Sequence, residues 1–295
     1  MPIVVHRSDR PEALADGLAA MLRDDPGDVF DPAWVVVPAQ GVQRWLIQRF
    51  SHVLGAGTGD DGVCTGLDLR SPASLVGLLL GRDLEDPWLP ARLAWPTLAA
   101  IDECMGAPGF EALTRHLGGG PTADRRELEW LQTARQARRY AVARRLAGLF
   151  SSYARERPTM LVDWEGGGAG DGCGGPLDAD LAWQPELWRR VLAEVARRTG
   201  VTESPSARHA RVVDELRCGT VEFAISERIN LFGYTRLPAS EIELLAALGT
   251  SREVHLWLPH PSPGLWDALA DGPRRTPLAR ADDAMSTGTV VRLCS

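Results

Sequence analysis

The residues best placed to bind a phosphate lie at a turn between a predicted strand and a predicted helix. The stretch VVVPAQGVQRWLIQRF (Val35–Phe50) is a continuous apolar run, a turn and an amphipathic helix, which is the layout that carries the phosphate-binding loop of ATPases. The turn reads Pro38-Ala39-Gln40-Gly41, however, and not GxxxxGK[ST]. The sequence therefore predicts the framework of a nucleotide site without the residues that hold a nucleotide.

The basic composition points in the same direction. All 32 basic residues of the 295-residue chain are arginine. A Walker A loop needs a lysine on the β- and γ-phosphates, and a protein kinase needs a lysine on its third strand. Restriction-type nucleases usually place a lysine beside their metal-binding carboxylates. A chain without lysine lacks a required part of each of these catalytic sites.

Cysteines and histidines give no sign of a metal or disulfide framework. The five cysteines are widely separated and form no CxxC motif, and His255 and His260 have no third ligand nearby. We therefore predict no metal site and no cofactor bound by this chain. No apolar run approaches the ~18 residues of a membrane span, and the N-terminus lacks a basic flank before an apolar core, so we predict a cytoplasmic protein.

Charge is distributed unevenly along the chain. The net charge is −7, yet residues 125–157 contain nine arginines and three glutamates, so the remaining residues sum to −13. A basic segment on an acidic protein is an electrostatic footprint of the kind that contacts phosphates. A solvated helix face is the alternative interpretation.

The periodicity of this basic segment is helical, with one interruption. At 100° per residue its large apolar residues form one stripe, and Arg135, Arg138 and Arg139 fall in the middle of that stripe. Three arginines cannot lie in a dry core without partners. We therefore predict a helix break near Gln132–Gln136, with a wet groove as the alternative.

Predicted strands lie near both ends of the chain, with predicted helices between them. The strands are Pro2–Arg7, Trp34–Val37, Arg228–Gly233 and Glu253–Leu258. This order predicts an α/β fold in which a parallel-sheet domain, residues 1–85 and 226–270, is interrupted by a helical insertion domain, residues 86–225. We predict an irregular tail at 271–295 and a flexible glycine-rich loop at 166–175. Five tryptophans are predicted core residues: Trp45, Trp95, Trp183, Trp188 and Trp257.

Several blocks, in this order and spacing, resemble the RecC family, the gamma subunit of exodeoxyribonuclease V. The blocks are VVVPAQGVQRWL, RSPASLVGLLLG, RYAVARRLAGLFSSYARERPTMLVDWE, WQPELWRRVLAE and RINLFGYTRLPASEIELLAALGTSREVHLWLPHPSPGLW. The similarity runs from about residue 1 to residue 270 and fades after Trp266. Chains of this family are several times longer, so we predict a truncated chain or a fragment.

The resemblance implies a degenerate superfamily 1 helicase-like (RecA-like) domain that has lost its ATPase residues. Pro38–Gly41 stands where a helicase carries its phosphate loop, and Gly233-Tyr234 stands where it places the Asp-Glu pair that holds Mg²⁺. The implied role is a non-catalytic, DNA-guiding subunit of an ATP-dependent helicase–nuclease that processes double-strand breaks for recombinational repair. The implied partners are RecB-like and RecD-like subunits, which would bind ATP and Mg²⁺, and DNA as a duplex end and a single-stranded 3′ tail.

The resemblance also suggests which residues contact DNA. The matching segments are Gln40–Arg44, Ser71–Gly77 and Gly148–Arg157, with arginines expected on phosphates and Gln40 or Ser71 on bases. Together with the basic segment they give these predicted DNA-binding residues: Gln40, Arg44, Ser71, Arg139, Arg144, Arg145, Ser151 and Arg157. Where relatives read LFDQY, this chain has LFSSY. The resemblance therefore supports guidance of a strand more than recognition of a hotspot sequence.

Two other interpretations of the same resemblance stay open. One is an AddB-type helicase–nuclease subunit, which is distinguished by a C-terminal iron–sulfur nuclease domain. The other is a scaffold fragment that binds only the other subunits and no DNA.

Overall fold

A computed structural model of the chain describes residues 3–25, 30–54, 62–117, 125–221, 224–260, 262 and 264, with the backbone alone over 125–137. The tail predicted at 271–295 lies outside these residues. The chain divides into two compact units. Unit 1 contains Met1–Gly81 and Arg211–Ser295, and unit 2 contains Arg82–Ala210.

The described residues form five strands and ten helices. The strands, all in unit 1, are β1 (Val4–Ser8), β2 (Ala33–Val36), β3 (Leu67–Arg70), β4 (Arg228–Phe232) and β5 (Glu253–Pro259). The helices are α1 (Pro11–Asp24), α2 (Gln40–Ser51), α3 (Pro72–Leu79), α4 (Pro90–Cys104), α5 (Glu111–His116), α6 (Arg125–Glu156), α7 (Pro158–Glu165), α8 (Gln184–Thr199), α9 (Pro205–Cys218) and α10 (Ala239–Leu248).

The strands of unit 1 form one sheet in the order β1-β5-β4-β2-β3, and every pairing is parallel. In the register, Val36 of β2 is opposite Arg70 on one side and Leu231 on the other. Parallel neighbours need crossover connections, which the helices of this chain supply. The prediction of an α/β fold with a parallel sheet is confirmed.

Both faces of this sheet are covered by helices. Trp34 and Val36 of β2 lie in a core with side chains of α3, α9 and α10, whereas Val35 and Val37 lie in a second core with side chains of α1 and α2. Val35 and Val36 are both fully buried. A strand covered on two faces needs apolar residues at every position, which explains the continuous run VVV.

One strand of the unit 1 sheet, β3, has no counterpart among the predicted strands. The sequence of β3, LDLR, alternates apolar and charged residues, and its Asp68 and Arg70 form an ion pair of 2.6 Å on the sheet surface. The Arg70 guanidinium also lies 3.8 Å from the ring centroid of Trp34. Four half-buried residues at the edge of a sheet are too short a pattern to distinguish a strand from a loop.

Unit 2 is helical, with a core of its own between α4, α6, α7 and α8. Trp164 of α7 and Trp188 of α8 are fully buried in it. The ring of Phe150, from α6, lies 5.1 Å from that of Trp188, centroid to centroid. Of the tryptophans predicted as core residues, Trp188 and Trp257 are buried, but the prediction is wrong for Trp95, which is 54% exposed.

The predicted break in the basic helix is wrong, because α6 is continuous from Arg125 to Glu156. Its buried face is centred on Ala143, Ala147 and Phe150, so it is rotated relative to the stripe of large apolar residues. Arg139 lies on the same side of α6 as this buried face, one turn before Ala143, and it forms an ion pair with Asp102 of α4. The partner in another helix removes the need for a break.

The glycine-rich stretch is a loop, as predicted, but two aspartates anchor its backbone. The Asp163 carboxylate accepts the backbone N–H of Gly170 at 2.8 Å, and the Asp171 carboxylate accepts that of Cys173 at 2.7 Å. Donation by the Cys173 N–H, and by another backbone N–H further along the loop, holds the pKa of Asp171 below its usual range. The glycines therefore allow tight turns around carboxylates and do not form a free linker.

Candidate nucleic-acid interface

The turn Pro38–Gly41 lies at the edge of the unit 1 sheet where the parallel strands end, as a phosphate loop would. Gly233 follows the neighbouring strand β4, with φ at +79°. A Cβ built on Gly233 would lie 3.7 Å from Cγ1 of Val42 and 4.0 Å from Cδ of Pro38. The chain after β4 therefore packs against the turn and the first residues of α2.

A narrow cleft at the same edge is lined almost entirely by apolar side chains. Its lining is Val36, Pro72, Leu75, Val76, Leu79, Leu231, Tyr234, Leu244, Leu245 and one carboxylate, Glu241. Tyr234 is 6% exposed, its hydroxyl has no hydrogen-bond partner among the described residues, and burial raises its pKa.

These side chains do not fit a nucleoside triphosphate. Binding of β- and γ-phosphates requires cationic donors, and binding of Mg²⁺ requires suitably placed carboxylates. The cleft lining contains no cationic side chain. Within the described part of the chain, no three His, Cys, Asp or Glu side chains lie close enough to hold a metal ion.

Three predicted DNA-binding residues belong to unit 1. Gln40 begins α2 after β2, and Ser71 precedes α3 after β3. Because β2 and β3 are neighbours, the structure brings these two residues to the same edge of the sheet. The Ser71 hydroxyl accepts the backbone N–H of Ser74 at 3.1 Å, so it caps α3. Arg44, one turn into α2, is exposed and forms no ion pair with the described residues.

The other five predicted residues belong to unit 2, and three of them lie on one exposed face of α6. Arg144 and Arg145 are exposed, and neither forms an ion pair with the described side chains. Ser151 is half-buried and its hydroxyl donates to the Ala147 carbonyl oxygen at 2.9 Å. At Gly148 an added Cβ would meet nothing within 4 Å. We call the following set the α6 face: Arg138, Arg144, Arg145, Gly148, Ser151, Ser152 and Arg155.

Arg139 and Arg157 are engaged with protein groups. Arg139 Nη1 donates to Asp102 Oδ1 at 3.2 Å, and its buried Nε has no partner among the described residues. Arg157 is the N-cap residue of α7, and its Nη1 donates to the carbonyl oxygen of Asp171 at 3.3 Å. Arg139 and Arg157 are therefore less available to a phosphate than Arg144 and Arg145.

Two histidines on the neighbouring strands β1 and β5 contact each other, and the sequence did not predict this contact. Nε2 of His6 lies 3.0 Å from Nδ1 of His255, and the His6 ring stacks on Trp257 with centroids 3.7 Å apart. Burial lowers the pKa of both histidines. The two residues are 249 positions apart, so no local spacing signals their contact.

The helices of the described segments include none that combines the length and the apolar character needed to cross a membrane.

Comparison with known proteins agrees with the resemblance. The sequence matches the family described as "RecC, N-terminal domain" over residues 3–293. It is 44% identical over 283 residues to the RecBCD enzyme subunit RecC of Mycolicibacterium smegmatis, covering 96% of this chain and 23% of that one. It is 46% identical over 288 residues to the protein of the same name from Mycobacterium tuberculosis, covering 95% and 25%. With the Escherichia coli subunit it shares 26% over 274 residues, covering 90% and 22%.

The match extends further than the sequence blocks indicated. The similarity was expected to fade after Trp266, but the family match continues to residue 293. The last residues have no periodicity, so their relationship is not visible in a pattern. The chain spans about a quarter of the length of the curated relatives it matches. Since the match covers nearly the whole sequence, this chain belongs to the RecC family, through the N-terminal domain of that family.

Proposed function

We propose that this chain is the N-terminal part of the RecC-type subunit of a RecBCD-like enzyme and that it guides DNA without catalysing a reaction. Family membership over residues 3–293 is the observation that carries the proposal. The proposed protein partners are RecB-like and RecD-like subunits, which bind ATP and Mg²⁺. The proposed DNA ligands are a duplex end and a single-stranded 3′ tail, processed during recombinational repair in the cytoplasm.

The non-catalytic role is supported by the chemistry of the carboxyl edge of the sheet. A parallel sheet covered on both faces, with a strand–turn–helix at this edge, is what a degenerate helicase-like domain would retain. The turn Pro38–Gly41 has no phosphate-binding lysine, and Gly233 packs against it. The adjoining cleft is apolar. A domain kept for its shape accounts for these substitutions together.

Contact with DNA is supported by the α6 face. Arg144 and Arg145 are exposed and unpaired among the described residues, although the chain as a whole has a net charge of −7. Guanidinium groups are favoured donors to phosphate oxygens, and each phosphate contact on a single strand adds about 0.7 to the slope of log K against log salt. Ser151 adds a hydroxyl to the same face.

The test is a salt titration of the 295-residue chain with a fluorescent 3′-tailed duplex, followed by anisotropy. We expect affinity to fall steeply with salt. Arg144→Ala combined with Arg145→Ala should lower the salt slope by about 1.4 without changing base preference. Arg115→Ala, an exposed arginine on α5 of the same unit, is the matched control and should leave the slope unchanged. An affinity that does not depend on salt contradicts the proposal.

The scaffold interpretation predicts a different result in the same experiment. A scaffold fragment would be retained by the partner subunits and would not bind the tailed duplex at any salt concentration. The AddB-type interpretation loses its support, because the three relatives compared above carry the name RecC.

A further inference from the structure

Two exposed aromatic rings lie side by side on unit 2. Trp95 of α4 is 54% exposed and Tyr140 of α6 is 39% exposed. Their ring centroids are 5.3 Å apart, with an angle of 41° between the planes. The Trp95 indole N–H and the Tyr140 hydroxyl make no hydrogen bond to the described residues. Exposing two large rings is unfavourable in water, and the packing of the unit 2 core does not account for them.

The exposed residues one turn from each ring on its own helix include small and positively charged ones. Ala91 and Ala99 lie one turn before and one turn after Trp95 on α4, and Arg144 lies one turn after Tyr140 on α6. The core of a protein–protein interface is a broader apolar patch, depleted of charge. Two exposed rings with an arginine one turn away that forms no ion pair among the described residues instead match the surface of single-strand binding proteins, in which aromatic rings stack on bases and cations contact the backbone.

The rings are continuous with the α6 face. Tyr140, Arg144, Gly148, Ser151 and Arg155 fall within an arc of about 80° on α6 and extend along about 22 Å of its axis. These five residues are all at least partly exposed. A strand that followed this line would meet the two rings at one end, then Arg144, and Arg155 at the other end. At Gly148 the open space beyond Cα permits close approach of its backbone.

We propose that Trp95 and Tyr140 form a stacking platform for a base of single-stranded nucleic acid whose phosphates contact Arg144. This inference rests on the proposed DNA contact of the α6 face and adds a base-contact site to it. Every base has an aromatic face, so such a platform holds a strand without selecting its sequence. The role is positioning, and it requires no chemistry of either ring.

The test compares two single-stranded oligonucleotides of equal length, an oligothymidylate and an abasic strand with the same phosphates. The 295-residue chain should bind the oligothymidylate about tenfold more tightly than the abasic strand. Trp95→Leu and Tyr140→Leu should each remove most of that ratio while retaining an apolar side chain at the position. Trp95→Phe should keep most of it, because a ring remains. Thermal melting of each variant, followed by circular dichroism, verifies that the fold is retained.

The outcomes separate this inference from the proposed function. If both oligonucleotides bind equally and the binding depends on Arg144 and Arg145, the arginine contact stands and the stacking platform is overturned. If neither binds, both proposals are overturned. If Trp95→Leu leaves the ratio intact and instead weakens retention of the chain by a RecB-like subunit, the rings form a protein contact and the inference is wrong.

Discussion

A buried ion pair fixes the start of α9 within unit 2, and its removal should destabilise the protein strongly. Arg208 Nη1 lies 2.7 Å from Asp86 Oδ2, and the two side chains are 13% and 2% exposed. The other carboxylate oxygen of Asp86 accepts the backbone N–H of Trp88 at 3.1 Å. Asp86→Asn keeps an acceptor for that N–H but leaves the buried guanidinium of Arg208 with a single acidic partner among the described residues, Glu203, whose Oε2 lies 3.6 Å from Nε.

The expected cost follows from this burial. Removing one member of a buried pair costs about 3–5 kcal/mol, and since the asparagine keeps one hydrogen bond and Glu203 remains near the guanidinium we expect the lower end, about 3 kcal/mol. Urea unfolding followed by tryptophan fluorescence measures the loss of unfolding free energy. Asp102→Asn is the matched control, because Asp102 and Arg139 are 49% and 32% exposed and such pairs contribute below about 1 kcal/mol.

A second measurement distinguishes the ion pair from a general effect of the substitution. Arg208→Met should cost clearly less in the Asp86→Asn background than in the wild-type background, because the ion pair with Asp86 is then already lost and the longer contact with Glu203 is what remains. Equal losses for Asp86→Asn and Asp102→Asn, or a cost below about 0.5 kcal/mol for Asp86→Asn, would refute the argument that burial makes this pair critical.

Three further predictions concern stability. Burial lowers the pKa of His6 and His255, so the unfolded chain binds more protons than the folded chain as pH falls through about 6.5. The unfolding free energy should therefore decrease below that pH, and it should decrease less in His6→Phe. Urea titrations at pH 7.5 and 5.5 measure this difference. Tyr234→Phe removes a buried hydroxyl without a partner among the described residues, so stability should stay equal or rise by up to about 1 kcal/mol in urea; a loss of 1 kcal/mol contradicts this. Gly148→Ala should raise the melting temperature, since helix propensity favours alanine by about 1 kcal/mol and the added Cβ meets nothing within 4 Å. Gly172→Ala, at φ +75° and with the Cβ 2.9 Å from Cβ of Met160, is the contrasting variant and should lower it.

The parts of the fold that sequence predicted are those in which one local pattern decides the structure. The run VVV before a turn indicated a strand covered on both faces, and Val35 and Val36 are fully buried on opposite sides of the sheet. The helix α4 likewise has a local signal, because it begins at Pro90, a residue favoured in the first turn, and apolar residues follow at helical spacing. Where the pattern is short, as in β3, the local signal was insufficient.

The parts that sequence missed depend on partners distant in the chain. The arginines within the α6 stripe suggested a break, because no local residue could pair with Arg139; its partner Asp102 is 37 positions away. Trp95 lies in an apolar helical pattern, and only the direction of α4 shows that its ring is exposed. The framework of the candidate site was therefore predictable. Whether a given arginine is paired, and whether a given tryptophan is buried, required the tertiary structure.

The central claim is that the α6 face lies against DNA, and photocrosslinking from that face tests it most directly. Ala141 is exposed in the middle of the face, and Ala193 is an exposed alanine on α8 of the same unit. A benzophenone amino acid introduced at each position in turn, with a labelled 3′-tailed duplex, reports which surface the strand follows. We predict crosslinked DNA from position 141 and little from position 193. Crosslinking from 193 alone, or from neither position while the chain binds the duplex, would contradict the account.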